Sequence, residues 1–242
     1  MRISFFEEFP NKTDFQKLQL LDFNPSLYIA SPCYEEFKEI KKSLPNYEVI
    51  WWMTLPRFVG YWISPFTPKN HIIKLFKDIK KTEDKAMLDI EYPLLAPWLF
   101  LTQIIRFQDN KESLCQLISE LGEKIILCEN AGNNLCDTKC GKIWMCYTSL
   151  IVGTNNRKRK VLSGFCEEGV TRWGKNFKIG LGCIGKGILG IEPQLQVGDL
   201  KRDLNVAFKS NIEEVIIYRL EGVLQEDKIV KNQLNELAGI LI

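Results

Sequence analysis

Glu48-Val49-Ile50-Trp51-Trp52-Met53 and Ala86-Met87-Leu88-Asp89-Ile90 are two short apolar runs of strand length. Between them Ile72, Leu75, Phe76 and Ile79 recur at helical spacing. A strand, a helix and a second strand in that order form a βαβ unit, which places the two strands parallel in one sheet. The same alternation extends in both directions. Further strand-like runs are Ile3–Phe6, Leu27–Ala30, Lys124–Cys128, Ile143–Tyr147, Phe177–Leu181 and Glu214–Tyr218. Helical stripes lie between or after them: Phe15, Leu18 and Leu21 behind a Thr13/Asp14 cap, then Phe37, Ile40 and Leu44, then Leu200, Leu204 and Phe208. Ile229, Leu234 and Leu237 make the closing stripe. Eight units in 242 residues allow roughly 30 residues each, which predicts an α/β chain forming a single (β/α)8 TIM barrel over 1–242. A doubly wound open sheet is the rival, with fewer strands as a rule.

Two units depart from the pattern. Leu94 to Gly122 has room for two helices, around Pro97–Phe107 and Lys111–Leu121. The Asn- and Gly-rich stretch Asn130–Gly141 predicts an irregular unit with no proper helix after strand five. The basic run Asn155–Lys160 is read as a solvated loop tip, with a polyanion contact as the minority reading.

Composition narrows the function classes. Lys and Arg total 32 against 30 Asp and Glu, a net +2 that argues against a nucleic-acid coat. Glu7 and Glu8 interrupt the N-terminus before a signal-peptide core can form, and no apolar run reaches spanning length. The expectation is a cytoplasmic chain with no membrane or nucleic-acid partner, acting on a small molecule or carbohydrate. Oligomeric state is open. The eight cysteines are scattered, and Cys136/Cys140 lacks the second pair of a zinc ribbon, so most are expected reduced and buried.

Active sites of such barrels lie at the C-terminal strand ends. Those ends supply Glu7 and Glu8, Ser31, the group Trp52, Tyr61 and Trp62, then Asp89 and Glu91, Glu129 and Asn130, Tyr147, and finally Tyr218, Arg219 and Glu221. Asp89 and Glu91 are two apart, so they share one face of a strand while Leu88 and Ile90 take the other. With the apolar pair against the helices, both acids face the barrel axis. Two carboxyls that close raise at least one pKa, and a carboxyl still protonated at neutral pH is a general acid. Trp52, Tyr61 and Trp62 offer flat rings for sugar faces, with Trp144 on strand six. Because strand neighbours alternate, one of Trp51 and Trp52 must be packing.

Asp89-Ile90-Glu91-Tyr92-Pro93 resembles the fourth-strand signature of family 18 glycoside hydrolases, the chitinase family. Met145-Cys146-Tyr147 is similar to that family's sixth-strand motif, and Lys178-Ile179-Gly180-Leu181-Gly182 with Ile184-Gly185 to its seventh strand. The resemblance implies a glycoside-hydrolase-like enzyme. In it Glu91 protonates the glycosidic oxygen, Asp89 orients a substrate acetamido group, and Tyr147 hydrogen-bonds the acetamido oxygen. Glu8, Trp52, Tyr61, Trp62, Glu129, Asn130, Tyr218, Arg219 and Glu221 are the expected substrate-binding residues. Thr148 stands where the family motif has an aspartate, and Lys85-Ala86-Met87 replaces its earlier acidic positions.

Three other readings stay open. Gly185-Lys186-Gly187 could hold a phosphate on bare backbone N–H groups beside a cation. Glu8, Glu91, Glu129 and Glu221 could hold Mg2+ or Mn2+ in an isomerase- or phosphodiesterase-type barrel acting on a small sugar or sugar phosphate. The barrel could also bind sugar without catalysis. The first choice needs no cofactor and no metal.

Overall fold

The chain is a closed barrel of eight parallel strands, described here in a computed structural model covering residues 1–191 and 193–225, with Asn232 and Asn235. The strands are β1 (Arg2–Glu7), β2 (Leu27–Ser31), β3 (Val49–Met53), β4 (Ala86–Ile90), β5 (Ile125–Asn130), β6 (Gly141–Cys146), β7 (Phe177–Cys183) and β8 (Glu214–Tyr218). They are hydrogen-bonded in chain order, and β8 closes on β1 through Ser4 opposite Ile216 and Phe6 opposite Tyr218. The sequence expectation of a single (β/α)8 barrel holds, and each of the eight strand-like runs forms a strand of it.

Period-two alternation sorts the side chains into two cores. Phe6, Tyr28, Trp52, Met87, Ile126, Ile143, Met145 and Ile216 fill the barrel. Phe5, Ile29, Trp51, Leu88, Leu127, Trp144, Ile179 and Ile217 point outward into the layer beneath the helices. Trp51 is thus the packing member of its pair. Trp144 is packing too, meeting Phe165, Trp173 and Phe177 edge to face rather than standing at the mouth.

The outer layer is built from α1 (Tyr34–Lys42), α2 (Lys69–Lys81), α3 (Trp98–Gln103), α4 (Phe107–Leu121), α5 (Asn155–Trp173), α6 (Val197–Lys209) and α7 (Leu220–Gln225). α2 buries Ile72, Leu75, Phe76 and Ile79, each contributing about 1.5–3 kcal/mol of burial. α1 carries Glu35 and Glu36 in its first turn and Lys41 and Lys42 in its last, complementing the helix dipole. The first expected stripe makes only a short 3-10 helix, Phe15–Leu20, in which Leu18 alone is buried. The 94–122 segment does hold two helices, α3 and α4, joined by a 3-10 turn at Ile104–Arg106. The closing stripe of Ile229, Leu234 and Leu237 lies outside the described residues.

One expectation needs correction. The basic run 155–160 is no loop tip: it forms the first turns of α5, with the Thr154 hydroxyl accepting from the Arg157 amide at 3.4 Å. The helix buries only Leu162, Cys166 and Gly169, a stripe too thin to be seen as a helical period. The thiols hold to expectation for the most part, with one pair as the exception. Cys115 on α4 and Cys136 in the β5–β6 connection form a disulfide, with Cα atoms 5.4 Å apart. Cys128, Cys140, Cys146 and Cys166 are free and buried, and Cys33 is free and exposed.

Gly169 shows how tightly α5 sits. A Cβ there would meet the Phe177 ring at 2.2 Å. Gly169→Ala should therefore lower unfolding stability by about 1–3 kcal/mol despite alanine's better helix propensity, measurable by urea titration. A neutral or stabilising result would mean that the Phe177 ring moves aside freely.

The floor of the barrel is polar. Glu214 accepts from Ser4 at 2.8 Å, from Tyr28 at 3.3 Å and from Lys178 at 2.8 Å, and pairs with Arg2. Burial works to raise the Glu214 pKa, but Lys178 and Arg2 overcome it and hold the carboxyl below its ordinary value. The bottom of the barrel is closed by this network.

Candidate active site

At the opposite end, the C-terminal strand ends enclose a cavity of about 310 Å3. Glu8, Trp52, Trp62, Asp89, Glu91, Asn130, Tyr147 and Tyr218 all line it. Asp89 is two residues beyond Met87, an interior position, and is itself buried, as the alternation required. Leu88 and Ile90 lie on the outer face, also as expected.

Glu91 stands just past β4, where a strand by itself would fray. The chain after β3 prevents that. The Ile63 amide donates to the Asp89 carbonyl at 2.9 Å, and the Glu91 amide donates to the Ile63 carbonyl at 3.1 Å. Ile63 thus pairs with Ile90 as one extra parallel rung. That rung fixes the backbone of Glu91 and brings Tyr61 and Trp62 to the rim.

The electrostatics follow from burial. Glu91 is pushed up to about 7, first by burial and then by Glu8. Asp89 is raised well above the usual carboxylate range by burial, then by Glu91 and Glu8, against a weaker pull from the Trp52 indole. Tyr61 is raised by burial and by the Glu8 and Asp89 charges. Three carboxyls therefore share one low-dielectric well. Glu8, grouped above only with the binding residues, is the charge acting on both acids. It accepts hydrogen bonds from the Tyr218 hydroxyl and from Tyr61.

Within the well, Asp89 Oδ1 and Trp52 Nε1 are buried and, apart from the indole's weak pull on the Asp89 carboxyl, have no hydrogen-bond partner. Unpaired buried polar atoms are costly, at about 1–3 kcal/mol each, and a ligand that satisfies both recovers that energy. Tyr147 lies half-buried across the well, its ring centroid 5.9 Å from that of Tyr218.

Other expected site residues are not in this cavity. Glu129 lies on the outward face of β5 with Ile125 and Leu127, and its carboxylate holds the Lys142 ammonium and accepts from the Leu135 amide at 2.6 Å. Glu221 opens α7, pairs with Arg219, and donates its amide to Glu7. Arg219 stacks over Phe9 and donates to the Lys186 carbonyl. The set Glu8, Glu91, Glu129 and Glu221 is consequently not brought together. Among the described residues, no three His, Cys, Asp or Glu side chains cluster as metal ligands. Gly185 packs against Gly222 of α7 and the Arg219 side chain, leaving Lys186 exposed beside them. Tyr61 faces a neighbouring groove with Lys12 and Arg57, which meets the well at Glu8.

Neither a protein-family model nor a curated protein matches this sequence. Among solved structures, the PgaB (BpsB) glycoside hydrolase domain from Bordetella bronchiseptica aligns over 98% of each chain, with a TM-score of 0.60 and 11% identity. The chain shares the barrel fold of that domain. A family 18 N-acetylglucosaminidase from Paenibacillus barengoltzii also aligns over 98% of this chain and 99% of its own, with a TM-score of 0.49 and 8% identity. The likeness to the PgaB domain is one of fold and runs the length of the barrel.

Proposed function

We propose that the chain is a glycosidase-like enzyme acting on a carbohydrate-containing substrate, with Glu91 as general acid. The observation that carries this reading is the meeting of Asp89, Glu91 and Tyr147 in one well, where burial and Glu8 keep a proton on Glu91 up to about pH 7. Asp89 and Trp52 offer their unpaired atoms to a substrate amide, and Tyr147 offers its hydroxyl to the amide oxygen. That oxygen forms a bond to the anomeric carbon as the glycosidic C–O bond breaks, and the Glu91 proton passes to the leaving oxygen. Water then opens the cyclic intermediate and gives its proton to the Glu91 carboxylate, restoring the acid.

The pH profile tests this reading on an aryl N-acetylglucosaminide. A required acid with a pKa of about 7 makes kcat/KM fall above neutrality, approaching tenfold per pH unit on the basic limb. EDTA should leave that activity in place. Turnover abolished by EDTA and restored by Mn2+ or Mg2+ would favour the metal-dependent reading. Saturable sugar binding without turnover at any pH would favour a sugar-binding barrel.

A further inference from the structure

The well opens through an apolar rim. Leu94 after β4, Leu150 after β6, and Ile188 and Ile191 after β7 all line its entrance. Leu94 and Leu150 are more than half exposed, and Ile191 is 83% exposed. Val152, two residues beyond Leu150, is also 83% exposed. Singly exposed aliphatics are ordinary, but a group spread over three connections at one barrel end marks an interaction surface.

Charge indicates what covers it. The first turns of α5 begin three residues beyond Val152 and carry Arg157, Lys158, Arg159 and Lys160, of which Arg157, Arg159 and Lys160 are exposed. The Arg157 side chain folds back toward Gly153, next to Val152, so that cation adjoins the aliphatic rim and the others follow it along α5. Large exposed aliphatics bordered by a cluster of cations match the boundary between acyl chains and anionic head groups. No helix among the described residues is long and apolar enough to cross a membrane, so contact of this kind is peripheral.

We infer that the C-terminal face of the barrel docks on an anionic lipid surface, with the mouth of the well toward the head groups. This revises the expectation of no membrane partner, which rested on the lack of a spanning segment. It also assigns the basic run a role beside the rim. Docking needs no chemistry at Glu91 and stands apart from the hydrolase reading.

Sedimentation of the full chain with vesicles tests it. The chain should bind mixed phosphatidylcholine–phosphatidylserine vesicles, bind pure phosphatidylcholine much less, and release in high salt. Replacing Arg157, Arg159 and Lys160 with Gln should weaken binding about fivefold per charge, roughly a hundredfold together. Val152→Asp with Ile191→Asp should abolish binding, and circular dichroism should show both variants folded because the altered side chains are exposed. Glu91→Gln should bind like the wild type, which separates docking from catalysis. Three results would overturn the inference: no binding to either vesicle, equal binding to both with the Gln variant unaffected, or a solution dimer dispersed by Val152→Asp. The last would make a second copy of this chain the occupant.

Discussion

Glu91→Gln should lose at least about a hundredfold in kcat on an aryl N-acetylglucosaminide while KM stays near its wild-type value. The amide fills the same space and keeps the Ile63 rung, because that pairing uses only backbone atoms. What disappears is the proton. The wild-type basic limb should vanish as well, leaving a residual rate without the break near pH 7. Stability supplies an independent check. The folded pKa of Glu91 is about 7 and its ordinary value 4.5, so the folded chain holds this proton more tightly than the unfolded chain does. The stabilisation from that proton is full below about pH 4.5 and is lost as pH rises through 7. Relative to wild type, the Gln variant should therefore gain stability as pH climbs toward 8. A variant with unchanged kcat would remove Glu91 from the mechanism, and one whose KM alone rose would make it a binding residue.

Lys142→Ala should lower unfolding stability by about 3–5 kcal/mol. Lys142 and Glu129 are both fully buried with Nζ and Oε2 2.5 Å apart, and the ammonium also donates to Asn134 at 2.9 Å and lies over the Trp173 ring. Removing the cation leaves a carboxylate sealed beneath the β5–β6 connection with its main counter-charge gone. Adding Glu129→Gln should recover much of the loss, since a neutral amide can still accept from Leu135. Urea titration of the two variants measures both effects. If Lys142→Ala proved nearly silent, the carboxylate must reach water, and the connection would be far looser than its hydrogen bonds suggest. Because Asn130 begins this connection and also lines the well, the single variant should disturb ligand binding as well as stability.

The contrast between Asp89 and Glu129 shows what a sequence of this kind reveals. Both are acids at the C-terminal ends of strands. For Asp89 the period of two was counted from Leu88 and Ile90, and the side chain points into the barrel as that count requires. For Glu129 the strand-end position alone suggests the site. The same period of two, counted from Ile125 and Leu127, puts Glu129 outward and Asn130 inward, as found. Glu8 was legible as a strand-end acid, but its influence on both Asp89 and Glu91 needs three-dimensional convergence that no spacing encodes. The Ile63 rung was hidden for a related reason, since Ile63 lies outside every strand-like run and pairs only once β4 exists. The disulfide joins cysteines 21 residues apart, one on a helix and one in an irregular connection, with no periodicity to link them. α5 escaped because its basic opening resembles a solvated loop and its buried stripe is three residues wide.

The Glu214 network has a consequence for traffic. With Arg2, Lys178 and Tyr28 locked around that carboxylate, and Phe6, Ile126, Ile143 and Ile216 stacked above it, the barrel is a blind shaft rather than a tunnel. Whatever descends to Asp89 must come back out past Trp62 and Leu94. Arrival and departure both use the C-terminal end of the barrel, so a bound product obstructs the next substrate until it leaves.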